Sequence, residues 1–325
     1  MATEDWDAYW RNAESAAAHK DGGPQDEVLE RFWLQFFQRT LPAFRSRLSM
    51  LDIACGNGAV PRHALAAIRG MDKDVDVTIY GLDESPAALG EMRKRNQGLC
   101  YIAANAASLP IQDETLDLVT SQFGVEYAGS EALAEAARVT APGGIFAAVL
   151  HLRDGAIYRE CATNLDAIQC IRASKLLNCF EDIFHAALAV QQGQSDKERF
   201  HSTDRVFARS VAEAENVFRR WGQGVADGLL FRLYTDIAHM YRRFNHYEPE
   251  EVFSWIKLMS RELESYAGRM ESMLQAALAG PDFDRIIAQL VSSHFTVHER
   301  EILYMGRLSV PAAWTVVAEK ATSNK

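Results

Sequence analysis

Residues 51–58, Leu-Asp-Ile-Ala-Cys-Gly-Asn-Gly, constrain the fold of this chain more than any other stretch. An apolar run of strand character passes straight into a tight Gly-x-Gly turn, with a carboxylate, Asp52, just ahead of it. At the end of the first strand of an α/β sheet, such a turn opens a crevice in which a ligand can approach the backbone, because glycine has no Cβ to hold it off. Many nucleotide sites use glycine turns, so the residues that follow must discriminate among them. A dinucleotide fingerprint places a small residue three positions after the second glycine, where helix packs on strand, and here Pro61 stands in that place. A pyrophosphate cradle, and with it a dinucleotide oxidoreductase, is disfavoured.

Further strands follow at the spacing of an α/β sheet. Val75–Leu82 reads as a second buried strand ending in Asp83, a carboxylate able to accept both hydroxyls of a ribose; the alternative for Asp83 is a helix cap before Ser85-Pro86. Cys100–Ala103 reads as a short third strand leading into Asn105-Ala-Ala-Ser-Leu-Pro110. Thr115–Gln122 reads as a fourth, and Pro142-Gly-Gly144 as a turn into a fifth, Ile145–Leu150.

The order of these motifs resembles the class I S-adenosylmethionine-dependent methyltransferases. Leu51–Gly58, the acidic end at Asp83, Asn105–Pro110, the strand Leu116–Val119 and the turn Ala141–Gly144 carry the resemblance, over about residues 45–152. Phe295–Met305 and Ala312–Glu319 look like the two final strands of that fold. The resemblance implies a Rossmann-like, mostly parallel seven-stranded sheet with an antiparallel terminal hairpin. It also implies S-adenosyl-L-methionine as cofactor and S-adenosyl-L-homocysteine as product.

On that resemblance, Ala54, Cys55, Gly56, Asn57 and Gly58 form the loop beside the methionine part of the cofactor, and Asp52 balances its ammonium group. Asp83, with Glu84 beside it, holds the ribose. Asn105 and Ala106 occupy the place near adenine where the family commonly has an acidic residue, and an asparagine can still accept from the exocyclic amine. Leu82 and Leu109 are expected as apolar walls for adenine, and Gln122 and Phe123 where methyl and acceptor meet. The candidate bases Glu126, Tyr127 and His151 follow the fourth and fifth strands; the alternatives for His151 and Tyr127 are bonding or packing at the start of the insert described next.

Three regions are expected: an N-terminal helical segment, 1–45; a core, 46–152 and 293–325; and a helical insert, 153–292. Trp33, Phe36 and Phe37 repeat at helical spacing as a face packing on the sheet. In the family resembled, helices ahead of the first strand often cover the cofactor, and on that analogy Tyr9 and Trp10 are candidate contacts. In the insert, Glu248-Pro-Glu-Glu251 opens a long helix that stops at Gly280-Pro281. Val252, Ile256, Met259, Leu263, Tyr266, Met270, Met273 and Ala277 run along it as one apolar seam, buried within the insert or used as a homodimer interface. Material inserted after the fifth strand rises from the sheet edge where ligands bind, so the insert is expected to act as a lid that decides the acceptor.

Among 325 residues the chain carries a formal charge of −10 and no dense Lys/Arg block, which argues against a nucleic-acid partner. No apolar run approaches the roughly 20 residues that span a bilayer. Met1-Ala-Thr-Glu-Asp-Trp6 lacks the basic and apolar regions of a secretory signal, and five cysteines without Cys-x-x-Cys spacing suit a reducing compartment, so a cytoplasmic location is expected. No metal is expected: His294 and His298 flank residues of strand character, and His185 and His239 lack partners at ligand spacing. His185, His201, His239, Tyr241 and His246, with Arg232, Arg242 and Arg243, either grip an anionic acceptor or lie on solvated helix faces. The reading reached is a methyltransferase acting on a small molecule. Its alternatives are a protein or RNA methyltransferase and a cofactor-binding scaffold that has lost transfer.

Overall fold

The structure, a computed structural model, describes residues 6–7, 9–11, 24–44, 46–70, 75–96, 98–193, 197–306 and 308–322. Contacts divide these into a sheet unit, which takes in the described residues up to Arg159 and again from Ser272, and a helical unit, Glu160–Glu271.

In the sheet unit, β1 (Arg47–Ile53), β2 (Asp76–Asp83), β3 (Cys100–Ala103), β4 (Leu116–Gln122), β5 (Thr140–His151), β6 (Phe295–Met305) and β7 (Val310–Lys320) form one seven-stranded sheet. The order is β3-β2-β1-β4-β5-β7-β6, with β1 to β5 parallel and β7 antiparallel between β5 and β6. The Rossmann-like sheet with its antiparallel terminal pair is therefore present, and all five parallel strands end on one edge. β1 is buried on both faces, as a central parallel strand must be: Leu48 and Met50 join one apolar cluster, Leu51 and Ile53 the other.

Helices cover both faces. On one, α1 (Pro24–Thr40) buries Trp33, Phe36 and Phe37 with residues of α2 (Ala59–Arg69) and α3 (Pro86–Arg95). Full burial of side chains this size contributes about 1.5–3 kcal/mol each, so α1 is anchored by its aromatic face. On the other, α4 (Gly129–Val139) packs with Phe283, Ile286 and Leu290 of the last helix before β6, Gly280–Ser292.

That last helix packs on the sheet. The sequence reading placed it in the insert, yet its apolar face is part of the sheet core, and Phe283 stacks on Trp314 of β7 with ring centroids 4.4 Å apart. Two local expectations also shift. Pro142-Gly-Gly144 lies inside β5 as a bulge rather than before it, since Leu116 pairs with Thr140 and Leu118 already with Ile145. The long helix ends at Ala276, and Leu278 then pairs beside the end of β5, its N–H donating to His151 O at 2.9 Å.

The helices between the two halves of the sheet unit are α5 (Ala156–Ala173), α6 (Leu176–Gln191), α7 (Lys197–Trp221), α8 (Leu229–Arg242) and α9 (Pro249–Ala276), which makes Gly280–Ser292 α10. The expected seam on α9 is covered within the single chain: Val252, Ile256, Leu263, Tyr266, Met270 and Ala277 are buried, and Met259 and Met273 half-buried. His185, His201, His239, His246, Arg232, Arg242 and Arg243 are exposed, as solvated helix faces require. Among the described residues no helix is long and apolar enough to cross a membrane.

A buried polar knot ties α5, α9 and the turn before α8 together. Asn164 Oδ1 accepts from Ala226 N at 2.9 Å, Asn164 Nδ2 donates to Tyr266 Oη at 3.3 Å, and Tyr266 donates to Asp227 Oδ2 at 2.8 Å. Ala226 and Asp227 both hold left-handed backbone, φ 53° and 54°, which non-glycine residues adopt only when their surroundings fix them. The knot supplies that fixing. Burial and the Asp227 carboxylate push the Tyr266 phenol far above its usual range, so it remains a donor. Tyr266→Phe strips the acceptor from Asn164 and the donor from Asp227. It should lower stability by about 1–3 kcal/mol, read as a lower urea midpoint in chemical denaturation.

Candidate active site

The carboxyl edge of the parallel strands is built from two facing turns. After β1, Ala54, Gly56 and Gly58 hold left-handed backbone at φ 54°, 52° and 79°. After β4, Phe123 does the same at φ 52°, and a Cβ built on the next residue, Gly124, would lie 2.4 Å from Ala54 Cβ. The two turns touch at Gly124, and only glycine fits there. A Cβ on Gly56 would lie 2.9 Å from the ring of Trp10, so an indole roofs the glycine loop.

Asp83 joins this loop to the next helix. Its Oδ2 accepts from Gly56 N and its Oδ1 from Ser85 N, both at 2.9 Å. The cap of α3 is Ser85, whose Oγ accepts from Ala88 N, so Asp83 is not the helix cap. Each carboxylate oxygen offers two lone pairs, so both keep acceptor capacity after these bonds. Burial raises the Asp83 carboxyl above its usual range, and the two backbone N–H groups pull it part of the way back.

Asp52 lies beneath the loop, 1% exposed, accepting from Thr120 Oγ1 at 2.8 Å. Burial pushes its carboxyl up to about 8, the Thr120 bond opposing and the Asp83 charge adding. Without a cation beside it the group keeps its proton at neutral pH. The Cys55 thiol is turned toward Met92, with Sγ 3.4 Å from Sδ, and burial raises it well above its usual range, so Cys55 can offer a ligand only its backbone.

On the far side of Asp83, Glu84 and Asn105 are exposed and 3.4 Å apart. Asn105 Oδ1 already accepts from Ala107 N at 2.7 Å, a local turn that leaves it one lone pair. Ala106 is half-buried beside it. Leu82 and Leu109 are buried in the sheet core. The segment from Leu109 is clamped by α4: Arg138 donates to Leu109 O at 3.0 Å, Ile111 O at 2.7 Å and Asp113 Oδ1 at 2.6 Å. Glu135, which pairs with Arg138, accepts from Leu109 N at 2.7 Å. This clamp escaped the sequence reading; its one signal was a Glu and an Arg three apart on a helix.

At the ends of β4 and β5 the three candidate bases come together. Gln122 Oε1 accepts from the Trp33 indole at 2.6 Å, which fixes its amide. Glu126 Oε1 accepts from His151 N at 3.0 Å and stands 2.7 Å from His151 Nδ1. The Phe123 ring lies 4.3 Å from the imidazole, and the Tyr127 ring meets it edge-on at 5.6 Å. Trp6 stands edge-on to Tyr127 at 6.0 Å and to Tyr9 at 5.9 Å, and Tyr9 meets Trp10 at 4.9 Å. Six aromatic rings, counting the imidazole, thus run from β5 to the glycine loop.

Asp7 holds this aromatic stretch in place and was likewise not singled out from sequence. Its Oδ1 accepts from Ser85 Oγ at 2.7 Å and Ala87 N at 3.1 Å, at the positive end of α3, and Arg11 pairs with its other oxygen. Burial, the largest single effect, raises its carboxyl, but those hydrogen bonds and Arg11 together outweigh it and hold the group below its usual range. Among the described residues no group of three or more His, Cys, Asp or Glu side chains could hold a metal ion. His298 instead faces Glu319 at 3.2 Å, and His294 occupies the turn before β6.

Comparison with known proteins agrees with this edge. Residues 51–148 match the family described as methyltransferase domain. The ubiquinone/menaquinone biosynthesis C-methyltransferase UbiE of Bartonella quintana is 33% identical over 125 residues, 36% of this chain and 47% of that protein. Its counterpart in Methylobacterium nodulans is 32% identical over 124 residues, 36% of this chain and 48% of that one. The chain spans about half the length of these curated relatives. Among solved structures, an S-adenosylmethionine-dependent methyltransferase from Mesorhizobium loti aligns with 41% of this chain and 56% of its own, at 22% identity and a TM-score of 0.32. The matched span holds the glycine loop and the acidic end of β2, and over residues 51–148 the chain is similar to methyltransferase domains.

Proposed function

We propose that this chain transfers a methyl group from S-adenosylmethionine to a small-molecule acceptor. The observation that carries the reading is the carboxyl edge itself: a glycine loop a Cβ would fill, with Asp52 below it and Asp83 beside it. That donor set suits a molecule bearing a sulfonium, an ammonium and a ribose. Asp83, with Glu84 next to it, would accept from the ribose hydroxyls, and the Ala54–Gly58 backbone would lie along the methionine portion. Asp52 would face the ammonium, Asn105 and Ala106 would border adenine, and Gln122 and Phe123 would stand where methyl and acceptor meet. Trp10 and Tyr9 would close the loop from above. The cofactor supplies a methyl group already activated by positive sulfur. The protein's task is then alignment in a water-poor pocket, which can be worth roughly 7–11 kcal/mol.

A small acceptor is favoured by the aromatic lining from Trp6 to His151 and by the charge of −10, which offers no attraction to nucleic acid. The helical unit is proposed to choose the acceptor. It holds its own apolar cavity of about 190 Å³, lined by Phe180, Phe184, Phe200 and Tyr241. The five free cysteines suit a reducing compartment such as the cytoplasm. The direct test supplies S-adenosylmethionine with a labelled methyl group to the protein in a cytosolic extract. Enzyme-dependent label in acid-soluble metabolites is expected. Label confined to precipitated protein or RNA would replace the small acceptor with a macromolecule, and cofactor binding without any transfer would favour the scaffold.

Two further outcomes test the cofactor residues. Asp83→Ala, shown folded by its melting curve, should weaken S-adenosylhomocysteine binding by about 10–100-fold in calorimetry, the loss of one or two hydrogen bonds to a charged acceptor. For Asp52 the test is stability against pH without cofactor. Its carboxyl titrates near 8 in the folded state and near 4 when unfolded, so between those values the folded state binds more protons and stability falls as pH rises. Asp52→Asn, which keeps the Thr120 bond without the titration, should show a flatter melting temperature from pH 5 to pH 9.

A further inference from the structure

The Glu126–His151 pair has a geometry that packing alone does not require. One carboxylate oxygen, Glu126 Oε1, takes both the backbone N–H and the Nδ1 position of the same histidine, at 3.0 and 2.7 Å. The His151 carbonyl is also engaged, accepting from Leu278 N at 2.9 Å. Backbone and ring are thereby held on both sides. A carboxylate at Nδ1 fixes the tautomer that carries its proton there, which leaves the lone pair on Nε2.

That Nε2 is buried and, among the described residues, has no hydrogen-bond partner. A buried imidazole nitrogen without a partner destabilises the fold, since water would have satisfied it. The imidazole sits among aromatic rings, its centroid 4.3 Å from that of Phe123 and 5.6 Å from that of Tyr127, with Trp6 against Tyr127. The end of β5 thus presents an oriented, unsatisfied hydrogen-bond acceptor in a setting suited to flat molecules.

Building on the methyltransferase reading above, we propose that His151 is the general base of the reaction, that Glu126 is its positioning residue, and that the acceptor is a flat molecule bearing a weakly acidic hydroxyl, a phenol or an enol. His151 Nε2 takes the hydroxyl proton as the acceptor oxygen uses that electron pair to bond the methyl carbon. The methyl–sulfur bond breaks with its pair left on sulfur, and the proton remains on the imidazolium, facing Glu126, until solvent removes it. An amine with a free lone pair needs no such base to begin attack. The oriented histidine therefore selects for acceptors that must first lose a proton.

The experiment combines ¹⁵N NMR of the histidine rings, S-adenosylhomocysteine binding, and transfer to catechol, 1-naphthol, 4-hydroxycoumarin and aniline. His151→Asn keeps an N–H donor near Nδ1 for Glu126 and removes Nε2 together with Cε1 and the aromatic ring. Wild type should methylate at least one hydroxyl probe in preference to aniline. The Asn variant should lose about 10²–10⁴-fold of that rate with binding changed less than about threefold. In the NMR spectrum at pH 7.5, His151 Nε2 should be the unprotonated nitrogen, and Glu126→Gln should disturb that tautomer and slow transfer even if the Asn variant fails to fold. A protonated Nε2 in wild type overturns the proposal. So does an Asn variant, or, if that variant does not fold, a Gln variant, that turns over within about threefold of wild type. Binding of S-adenosylhomocysteine without methylation of any hydroxyl probe overturns it too, leaving the methyltransferase reading intact. Absence of binding in wild type defeats that reading instead.

Discussion

Two peptide N–H groups from different turns, those of Gly56 and Ser85, converge on the Asp83 carboxylate at 2.9 Å each, and the arrangement of the carboxyl edge depends on that convergence. Charge-assisted bonds of this kind are about twice as strong as neutral ones, and here they fix the distance between the loop after β1 and the start of α3. The start of α3 in turn carries Ser85 and Ala87, to which Asp7 binds, so the aromatic N-terminal stretch is registered against the same carboxylate at one remove. Gly124 completes the frame from β4, where the touching Ala54 methyl leaves room for hydrogen alone.

Within that frame the electrostatics are deliberately one-sided. Asp52 and Asp83 are both raised by burial, and the Asp83 charge makes ionisation of Asp52 harder still. One buried carboxyl and one half-buried carboxyl that repel each other's charge are a poor way to stabilise an empty protein. They are a good way to receive a cation, because a positive ligand reverses the sign of the interaction at both groups. Left-handed backbone at Ala54 and Phe123 follows the same pattern, conformational cost concentrated where strands end and ligands bind.

Much of this was legible in the sequence because parallel strands are marked by apolar runs that stop abruptly. Cys100–Ala103 and Phe295–Met305 have the bounds expected of them, and Asp83 stands at the end of β2 as its run implies. Boundaries set by tertiary contacts were not legible. The apolar spacing of α10 is the same whether its face meets other helices or the sheet, so periodicity alone could not assign Phe283 and Ile286 to the core. Pro142-Gly-Gly144 carries the composition of a turn, and only the pairing of β4 with β5 makes it a bulge. The contacts of Asp7, the bonds of Arg138 beyond its Glu135 pair and the Asn164–Tyr266–Asp227 knot were not legible for a common reason: each joins residues far apart in the chain through hydrogen bonds, which leave no periodic trace.

The aspartates of the edge and its histidine differ in how they meet the cost of buried polar groups. Asp83 is satisfied by backbone donors before any ligand arrives, and Asp52 by Thr120 and its own proton. His151 is satisfied at Nδ1 and at both backbone groups, while among the described residues its Nε2 has no partner. A group that only shaped the fold would gain nothing from three secured contacts and a fourth left vacant, because the restraint costs conformational freedom and the vacancy costs a hydrogen bond. Restraint with one open acceptor is what proton transfer requires, since the base must be held in orientation and still have a lone pair to give.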